Sequence, residues 1–324
     1  MSLLPFSLLF GLLVKLRARA YRLGLLRSER LPVPVIVVGN ITAGGTGKTP
    51  LILALVDWLR TAGWRPGIVS RGHGGKRRQA MPVRADSDPA LAGDEPVLLA
   101  RRCACPVWVG RRRVEAGRRL LAFHPEVNVI LADDGLQHYA LARDLEIAVV
   151  DGMRGLGNGW LLPAGPLREH RQRLGRVDAV VVNGDGRADL PVHAFRMRLL
   201  GAVFHALRDA TRTATARELA DRPLHAVAAI GNPQRFFDHL TALGLTFAAH
   251  ALSDHHPLPP EALPPGRVLM TEKDAVKLMS HARAPELEDC WYLAVDAHVE
   301  GGLKQRILSR LSTHRDARHG PQTA

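Results

Sequence analysis

The stretch VPVIVVGNITAGGTGKTP, residues 33–50, predicts a phosphate-binding loop between a strand and a helix. The apolar, β-branched run 33–38 is typical of a buried strand, and the apolar run 51–59 indicates a helix. Glycines at 39, 44, 45 and 47 lie between them, followed by Lys48 and Thr49. Glycines let backbone N–H groups approach phosphate oxygens, and a helix N-terminus adds positive potential. The pattern therefore predicts nucleotide binding, with Lys48 on the β- and γ-phosphates and the Thr49 hydroxyl on Mg²⁺.

One position in this loop departs from the strict phosphate-loop pattern. Thr42 stands where that pattern has glycine, five positions before Gly47. The hydrophobic strand before the loop and the helix after it favour nucleotide binding over the alternative of a helix-capping loop. The predicted nucleotide-binding residues are Thr42, Ala43, Gly44, Gly45, Thr46, Gly47, Lys48 and Thr49.

The composition is that of a folded protein with a strong basic charge. Of the 324 residues, 46% are hydrophobic and 23% are charged, which excludes wholesale disorder. Lys and Arg number 44 against 31 Asp and Glu, and the net charge of +13 favours anionic partners such as nucleotides, phosphorylated substrates and phospholipid headgroups. No RNP, zinc-finger or zipper signature is present, so nucleic acid is not an expected partner. Three cysteines are too few for a disulfide framework and indicate reduced thiols in the cytosol.

The N-terminal segment combines an apolar run with basic residues. Residues 3–14, LLPFSLLFGLLV, are too short to span a bilayer, which needs about 20 residues. No positive residue precedes the apolar part of this run, unlike in a secretory signal. On a helix, Lys15, Arg19 and Arg22 fall on one face and leucines 9, 12, 13 and 16 on another. We therefore predict that residues 1–30 form an interfacial helix that contacts an anionic membrane surface. The alternative is a helix packed on the protein's own core.

Strand patterns alternate with helix patterns through the first half of the chain, and several strands end in a polar residue. This predicts an α/β fold, a P-loop NTPase-like doubly wound, mostly parallel sheet, over residues 31–186. Ligands of such sheets bind beyond the carboxyl ends of the strands, where Gly39, Arg71, Asp133, Asp151 and Asn183 are expected to meet. A second, smaller α/β domain is predicted for residues 187–313 and a disordered tail for 314–324.

The segment VNVILADDG, residues 127–135, predicts a strand that delivers two carboxylates beside the phosphate loop. Adjacent acidic side chains repel unless a cation lies between them, so Asp133 and Asp134 are predicted Mg²⁺ ligands, with a helix N-cap as the alternative. Residues 271–274, TEKD, have the guanine-reading letters of GTPases in the wrong register. Membrane-bound partitioning ATPases carry lysine before the paired glycines, where this chain has Ala43. These differences favour a phosphotransferase.

Eight ordered motifs carry a family resemblance over nearly the whole chain. They are GNITAGGTGKTP (39–50), SRGHGG (70–75), GDEP (93–96), ADDGLQH (132–138), GNGWLLPAGPLRE (157–169), GNPQRFF (231–237), SDHH (253–256) and TEKDAVKL (271–278). In this combination the chain resembles the tetraacyldisaccharide 4'-kinases, the lipid A 4'-kinases of Gram-negative bacteria. The resemblance implies transfer of the γ-phosphate of ATP to the 4'-hydroxyl of a tetraacyldisaccharide 1-phosphate, a lipid A precursor, at the cytoplasmic face of the inner membrane.

The resemblance also implies roles for individual residues. It makes Asp94 the base that accepts the hydroxyl proton, assisted by His255, and the alternative for Asp94 is an N-cap of the helix that starts at Pro96. The third predicted catalytic residue, Lys48, follows from the phosphate-loop pattern. Glu95 joins Thr49, Asp133 and Asp134 as a predicted Mg²⁺ ligand. The predicted substrate residues are Arg71, Gln137, His138, Arg168 and Glu169. Because His255 and Lys48 belong to different predicted domains, the site is expected in an interdomain cleft.

Two other functions fit part of the pattern. One is a P-loop ATPase switch that docks on membranes and binds a protein without phosphorylating lipid. The other is a P-loop kinase of a different small sugar, with a purely structural N-terminal helix. No chemical role is predicted for the GNPQRFF and TEKDAVKL motifs.

Overall fold

The structure, a computed structural model, describes residues 3–72, 79–185, 190, 194–281 and 285–318. Residues 73–75 of the SRGHGG motif lie outside this described part. The helices are α1 (Leu4–Arg22), α2 (Lys48–Thr61), α3 (Pro89–Ala92), α4 (Asp94–Arg102), α5 (Arg113–Phe123), α6 (Ala216–Leu219), α7 (Pro233–Ala242), α8 (Glu272–Leu278) and α9 (Leu303–Arg318). The strands are β1 (Val35–Gly39), β2 (Pro66–Ser70), β3 (Met81–Val83), β4 (Val107–Val109), β5 (Val129–Asp133), β6 (Leu145–Asp151), β7 (Ala179–Asn183), β8 (Phe195–Leu200), β9 (Val203–Ala206), β10 (Thr213–Thr215), β11 (Leu224–Ala228), β12 (Ala248–Ala251), β13 (Arg267–Thr271), β14 (Cys290–Leu293) and β15 (Asp296–Val299).

The larger sheet is doubly wound, as predicted. Its strand order is β15-β8-β7-β6-β1-β5-β2-β4-β3 within the described residues, and only the two edge strands, β15 and β3, pair antiparallel. Successive β1 residues enter different cores: Ile36 and Val38 pack in the cluster of α2, α4 and α9, whereas Val35 and Val37 pack in the cluster of α5. Both faces of β1 are therefore buried, which explains its continuous β-branched sequence.

The second sheet is smaller, in the order β10-β9-β14-β13-β11-β12, with a parallel β14-β13-β11-β12 part. Its alternating strand residues face α7 on one side and α8 on the other. This sheet confirms the predicted second α/β unit.

The chain divides between the sheets differently from the predicted boundary at 186/187. Strands β8 and β15 belong to the larger sheet, and α9 packs on the α2 side of it through Leu303, Ile307 and Leu311. The first unit is therefore built from segments of the chain that come both before and after the second unit. Helix α9 also runs to Arg318, into the predicted tail, while residues 319–324 lie outside the described part. The three apolar positions at helical spacing in α9 explain its docking.

Helix α1 lies on the first unit with most of its apolar side chains exposed. Ser7 and Gly11 are its buried residues, and the Ser7 hydroxyl donates to the Leu161 carbonyl over 2.7 Å. Leucines 8, 9, 12, 13 and 16 each retain 53–65% exposure. In the described part of the chain, no helix has the length and hydropathy to cross a membrane. Packing of α1 on the protein's own core therefore accounts for only a narrow face of this helix.

Candidate active site

The phosphate loop joins β1 to α2, as predicted. Gly47 has φ 91° at the start of α2, and a Cβ there would lie 2.3 Å from the Asn183 amide nitrogen, so only glycine fits. Lys48 follows it and is 8% exposed. Thr42 stands in place of the expected glycine without a positive φ, so its backbone does not need glycine there. Its backbone pairs with Leu167 of a neighbouring loop, and its side chain is buried. The loop geometry therefore tolerates this departure.

Asp133 ends β5 beneath the loop and is 1% exposed. Its Oδ2 accepts a 2.8 Å hydrogen bond from Ser70, whereas its Oδ1 is buried with no hydrogen-bond partner in the structure. Burial and the nearby Glu95 charge raise the pKa of Asp133, while Lys48 opposes this shift. An orphaned carboxylate oxygen at this place fits a cation.

Asp134 lies between two cations. Its carboxylate is 3.4 Å from the Lys48 ammonium and 3.1 Å from the Arg168 guanidinium. Burial alone would raise the pKa of Asp134, but Lys48 and Arg168 lower it to about 2. Its φ of 48° is rare for a non-glycine residue, and such backbone strain is concentrated at functional sites.

The predicted catalytic dyad, Asp94 and His255, is assembled from residues of both units. Asp94 begins α4 and is 6% exposed, and His255 follows β12 with φ 59°. Nδ1 of His255 lies 3.0 Å from Asp94 Oδ2. Burial by itself would raise the pKa of Asp94, but the His255 hydrogen bond and the Lys273 charge lower it to about 2. In return, the hydrogen bond to Asp94 raises the pKa of His255.

A cavity of about 820 Å³, here called the polar cavity, brings the predicted substrate residues together. Its lining includes Lys48, Arg71, Glu95, Asp134, Gln137, His138, Arg168, Glu169 and His255. Phe10, Leu13, Val14 and Arg17 of α1 also line it. The cavity is therefore basic, contains the dyad's histidine and is open to the N-terminal helix.

Gln137, Tyr139 and Glu169 are linked by hydrogen bonds in the wall of the polar cavity. Gln137 donates to the Asn40 carbonyl over 3.0 Å and to Glu169 over 3.1 Å, and the Tyr139 hydroxyl donates to Glu169. Glu169 is 3% exposed, and these hydrogen bonds hold it in the cavity wall.

Burial and neighbouring arginines, Arg113 first, lower the pKa of His138 to about 4, which keeps its ring neutral at pH 7.

A second cavity, of about 190 Å³, lies against the same phosphate loop and is here called the apolar cavity. Leu53, Leu199, Ile230, Phe236, Leu293 and Val295 are among its lining residues. Gly45, Lys48 and Glu95 line both cavities. The phosphate loop therefore separates an apolar site from a polar one.

Comparison with known proteins identifies the family. The model of the family "Tetraacyldisaccharide-1-P 4'-kinase" matches residues 1–312. The chain therefore belongs to the tetraacyldisaccharide-1-P 4'-kinase family. This confirms the resemblance predicted from the eight motifs, and it identifies the chain as a kinase.

Relatives and a solved structure of the 4'-kinase family agree with this assignment. The Azoarcus sp. (strain BH72) tetraacyldisaccharide 4'-kinase is 53% identical over 316 residues, covering 95% of this chain and 91% of the relative. That of Chromobacterium violaceum is 51% identical over 319 residues, covering 96% and 94%. The crystal structure of the "apo" form of LpxK from Aquifex aeolicus in complex with ATP superposes with a TM-score of 0.79 at 29% identity, covering 96% of this chain and 98% of that one.

The structure of this 4'-kinase adds site residues that sequence reasoning missed. Arg113 is 5% exposed, donates to the Asp134 carbonyl over 3.3 Å and lines the polar cavity with Arg111. The three arginines at 111–113, at the start of α5, were the sequence feature that could have indicated this role of Arg113. Lys273 contacts the dyad and lies in TEKDAVKL, a motif without a predicted role.

The GNPQRFF motif docks the second unit on the phosphate loop and on the strand ends. Asn232 and Arg235 each donate to the Asp151 carboxylate over 2.9 Å, and Arg235 also donates to the Asn183 carbonyl over 3.0 Å. Arg154 bonds both the Gly231 and Gly45 carbonyls. Asp151 and Asn183 thus lie at the predicted sheet edge and hold the two units together there.

Gly231→Ala is expected to destabilise this docking. A Cβ at 231 would lie 2.0 Å from the backbone nitrogen of Gly45. The clash is between backbone segments, so it can be relieved only by moving one of them. Overpacking of this kind costs about 1–3 kcal/mol, so the variant should unfold at lower temperature and bind ATP more weakly. Gly175→Ala is the matched control, because a Cβ there meets nothing within 4 Å. An unchanged unfolding temperature for Gly231→Ala would refute the tight contact.

Proposed function

We propose that this 4'-kinase transfers the γ-phosphate of ATP to the 4'-hydroxyl of a tetraacyldisaccharide 1-phosphate. The observation that carries the proposal is the position of the phosphate loop between the apolar and polar cavities. A triphosphate bound along the loop can place its nucleoside in the apolar cavity and its γ-phosphate towards the polar one. The acceptor sugar then lies in the polar cavity, beside the Asp94–His255 dyad.

Proton and phosphoryl transfer follow from this placement. The acceptor hydroxyl gives its proton to the Asp94 carboxylate as its oxygen forms a bond to the γ-phosphorus. The bond from that phosphorus to the oxygen it shares with the β-phosphate breaks, and ADP keeps the electron pair. Lys48 and the loop amides stabilise the charge on the phosphates, and Arg168 and Arg113 supply further positive charge at the polar cavity. Positioning and charge stabilisation therefore account for the reaction.

Two of the four predicted metal ligands fit Mg²⁺ best. Asp133 has the orphaned Oδ1, and the Thr49 hydroxyl lies at the start of α2, whereas cations already engage Asp134 and Glu95. Within the described ranges, no three or more His, Cys, Asp or Glu side chains form a set that could hold a metal ion. A hydroxyl, a carboxylate and nucleotide phosphate oxygens are hard ligands of the kind Mg²⁺ takes. When bound, Mg²⁺ offsets the charge of the phosphates.

The lipid substrate is met at a membrane surface. The exposed leucines of α1 and the cations Lys15, Arg19 and Arg22 suit an interfacial helix on an anionic leaflet. The same helix lines the polar cavity through Phe10 and Leu13, so a sugar in this cavity can keep its acyl chains in the membrane. Since ATP is cytosolic, we propose that the reaction takes place at the cytoplasmic face of the inner membrane.

The triple variant Leu9→Gln, Leu12→Gln, Leu16→Gln is expected to bind vesicles of phosphatidylglycerol much more weakly. Burial of a leucine contributes about 1.5–3 kcal/mol, so each substitution should lower the partition coefficient at least about tenfold. Flotation with vesicles measures the bound fraction. The control Leu200→Gln changes a leucine that is 54% exposed on β8 and should float like the parent protein. Equal flotation of the triple variant would contradict membrane contact through α1.

The reaction itself is tested with γ-labelled ATP and tetraacyldisaccharide 1-phosphate in detergent micelles. Thin-layer chromatography should show a labelled lipid, and phosphorus NMR should place the new phosphate at the 4' position. Release of labelled inorganic phosphate without labelled lipid would favour the ATPase switch instead. A labelled small sugar without labelled lipid would favour the other kinase.

A further inference from the structure

Lys273, the second residue of α8, is a mostly covered cation in a cluster of acids. Its side chain is 13% exposed, and its ammonium lies 3.0 Å from Glu95, 3.3 Å from Asp254 and 3.9 Å from Asp94. A positive charge in the first turn of a helix opposes the helix dipole. The three carboxylates around Lys273 compensate for this unfavourable location. Lysine at this position is therefore explained by its contacts in the active site and not by the stability of α8.

The same ammonium reaches the base dyad. Lys273 Nζ lies 3.4 Å from Nε2 of His255, on the side of the ring opposite the Asp94 contact. An ammonium has donors only, so Nε2 must be the acceptor in this contact. The ring proton of neutral His255 then lies on Nδ1, where Asp94 Oδ2 accepts it over 3.0 Å. The contact with Lys273 therefore selects one tautomer of His255.

Both ring nitrogens are engaged by this arrangement. This engagement agrees with the proposed role of the Asp94 carboxylate as the group that receives the proton. Asp94 belongs to α4 of the first unit, while His255 and Lys273 belong to the second. Lys273 thus holds His255 of the second unit against Asp94 of the first unit.

We propose that Lys273 is a positioning residue for phosphoryl transfer, which orients His255 in its Nδ1-protonated tautomer against Asp94. The inference rests on the proposed function of Asp94 as the base. A second ion pair on the same helix, Glu272 with Arg102 at 2.6 Å, also joins α8 to α4. This pair provides a control through Arg102, which links the two helices without touching His255 and lines neither the polar nor the apolar cavity.

The test compares Lys273→Met, Lys273→Arg and Arg102→Gln in the full-length protein. We expect Lys273→Met to lower kcat by about 10–10²-fold, since a wrongly oriented or wrong-tautomer histidine impairs a base. Lys273→Arg keeps a donor-only cation and should recover most of the activity. Arg102→Gln should keep the parental kcat, because His255 is undisturbed.

Nitrogen-15 NMR of histidine-labelled protein supplies a readout that simple loss of packing would not move. His255, assigned by its loss in His255→Gln, should show a protonated Nδ1 and an unprotonated Nε2, and Lys273→Met should mix the two tautomers. Parental kcat in Lys273→Met, or an unchanged His255 tautomer despite lost activity, would overturn the inference. A similar fall in kcat in Arg102→Gln would also overturn it, because Lys273 would then act only by docking α8 on α4. Failure of Asp94 as the base would instead appear as parental kcat in Asp94→Asn.

Discussion

Asp94→Asn lowers kcat by about 10²–10⁴-fold in our account, while ATP still binds. Loss of a general base commonly has an effect of this size, because the amide cannot take the hydroxyl proton. The substitution keeps the shape of a side chain that is 6% exposed, so α4 should remain folded. Steady-state kinetics measure kcat, and calorimetric titration with ATP measures nucleotide affinity.

The control for this prediction is Asp86→Asn, at an exposed aspartate before α3. It should match the parent enzyme in both measurements. Parental kcat in Asp94→Asn would remove Asp94 from the chemical step. Loss of ATP binding alone would make Asp94 a nucleotide ligand instead.

Lys48→Met is expected to lower kcat by about 10²–10³-fold, and to weaken ATP binding as well. Removal of one preorganised charged donor from a water-excluded site has an effect of this order on the transition state. Lys48 is 8% exposed and also contacts Asp134, whose carboxylate would keep only Arg168 as a close cation. Kinetics at saturating lipid, together with the ATP dissociation constant, separate the two losses.

Lys304→Met, on α9, removes a lysine outside both cavities and should behave like the parent. If Lys48→Met bound and consumed ATP as well as the parent, the phosphate loop would not be the nucleotide site. Unfolding temperatures of both variants show whether a loss of activity reflects a loss of fold.

The phosphate loop was predictable because its signal is local. A strand, a glycine loop and a Lys-Thr pair occupy adjacent positions, so Lys48 follows from the sequence pattern directly. Asp94 and His255 are 161 residues apart, and their contact at 3.0 Å was expected only through the family resemblance. Propensity and periodicity alone do not report such a long-range contact.

The elements that sequence reasoning missed have weak or nonlocal signals. Strand β3 and helix α3 have three and four residues and lie in the segment 76–93, which reads as polar and irregular. Strand β8 alternates buried and exposed residues at the sheet margin, so its membership in the first unit depends on pairing with β7 and β15. Lys273 and Arg113 are charged residues on helices, and only the tertiary structure shows that their side chains are mostly covered.

The stereochemistry at phosphorus tests the central claim most directly: phosphate passes from ATP to the lipid in one direct transfer, with Asp94 as a base and not as a nucleophile. The measurement uses ATP whose γ-phosphate is chiral through oxygen isotopes, and determines the configuration of the 4'-phosphate in the lipid product. A single in-line transfer predicts inversion. Retention would contradict the account, because it requires a phosphorylated enzyme intermediate and would make a residue of the dyad a nucleophile.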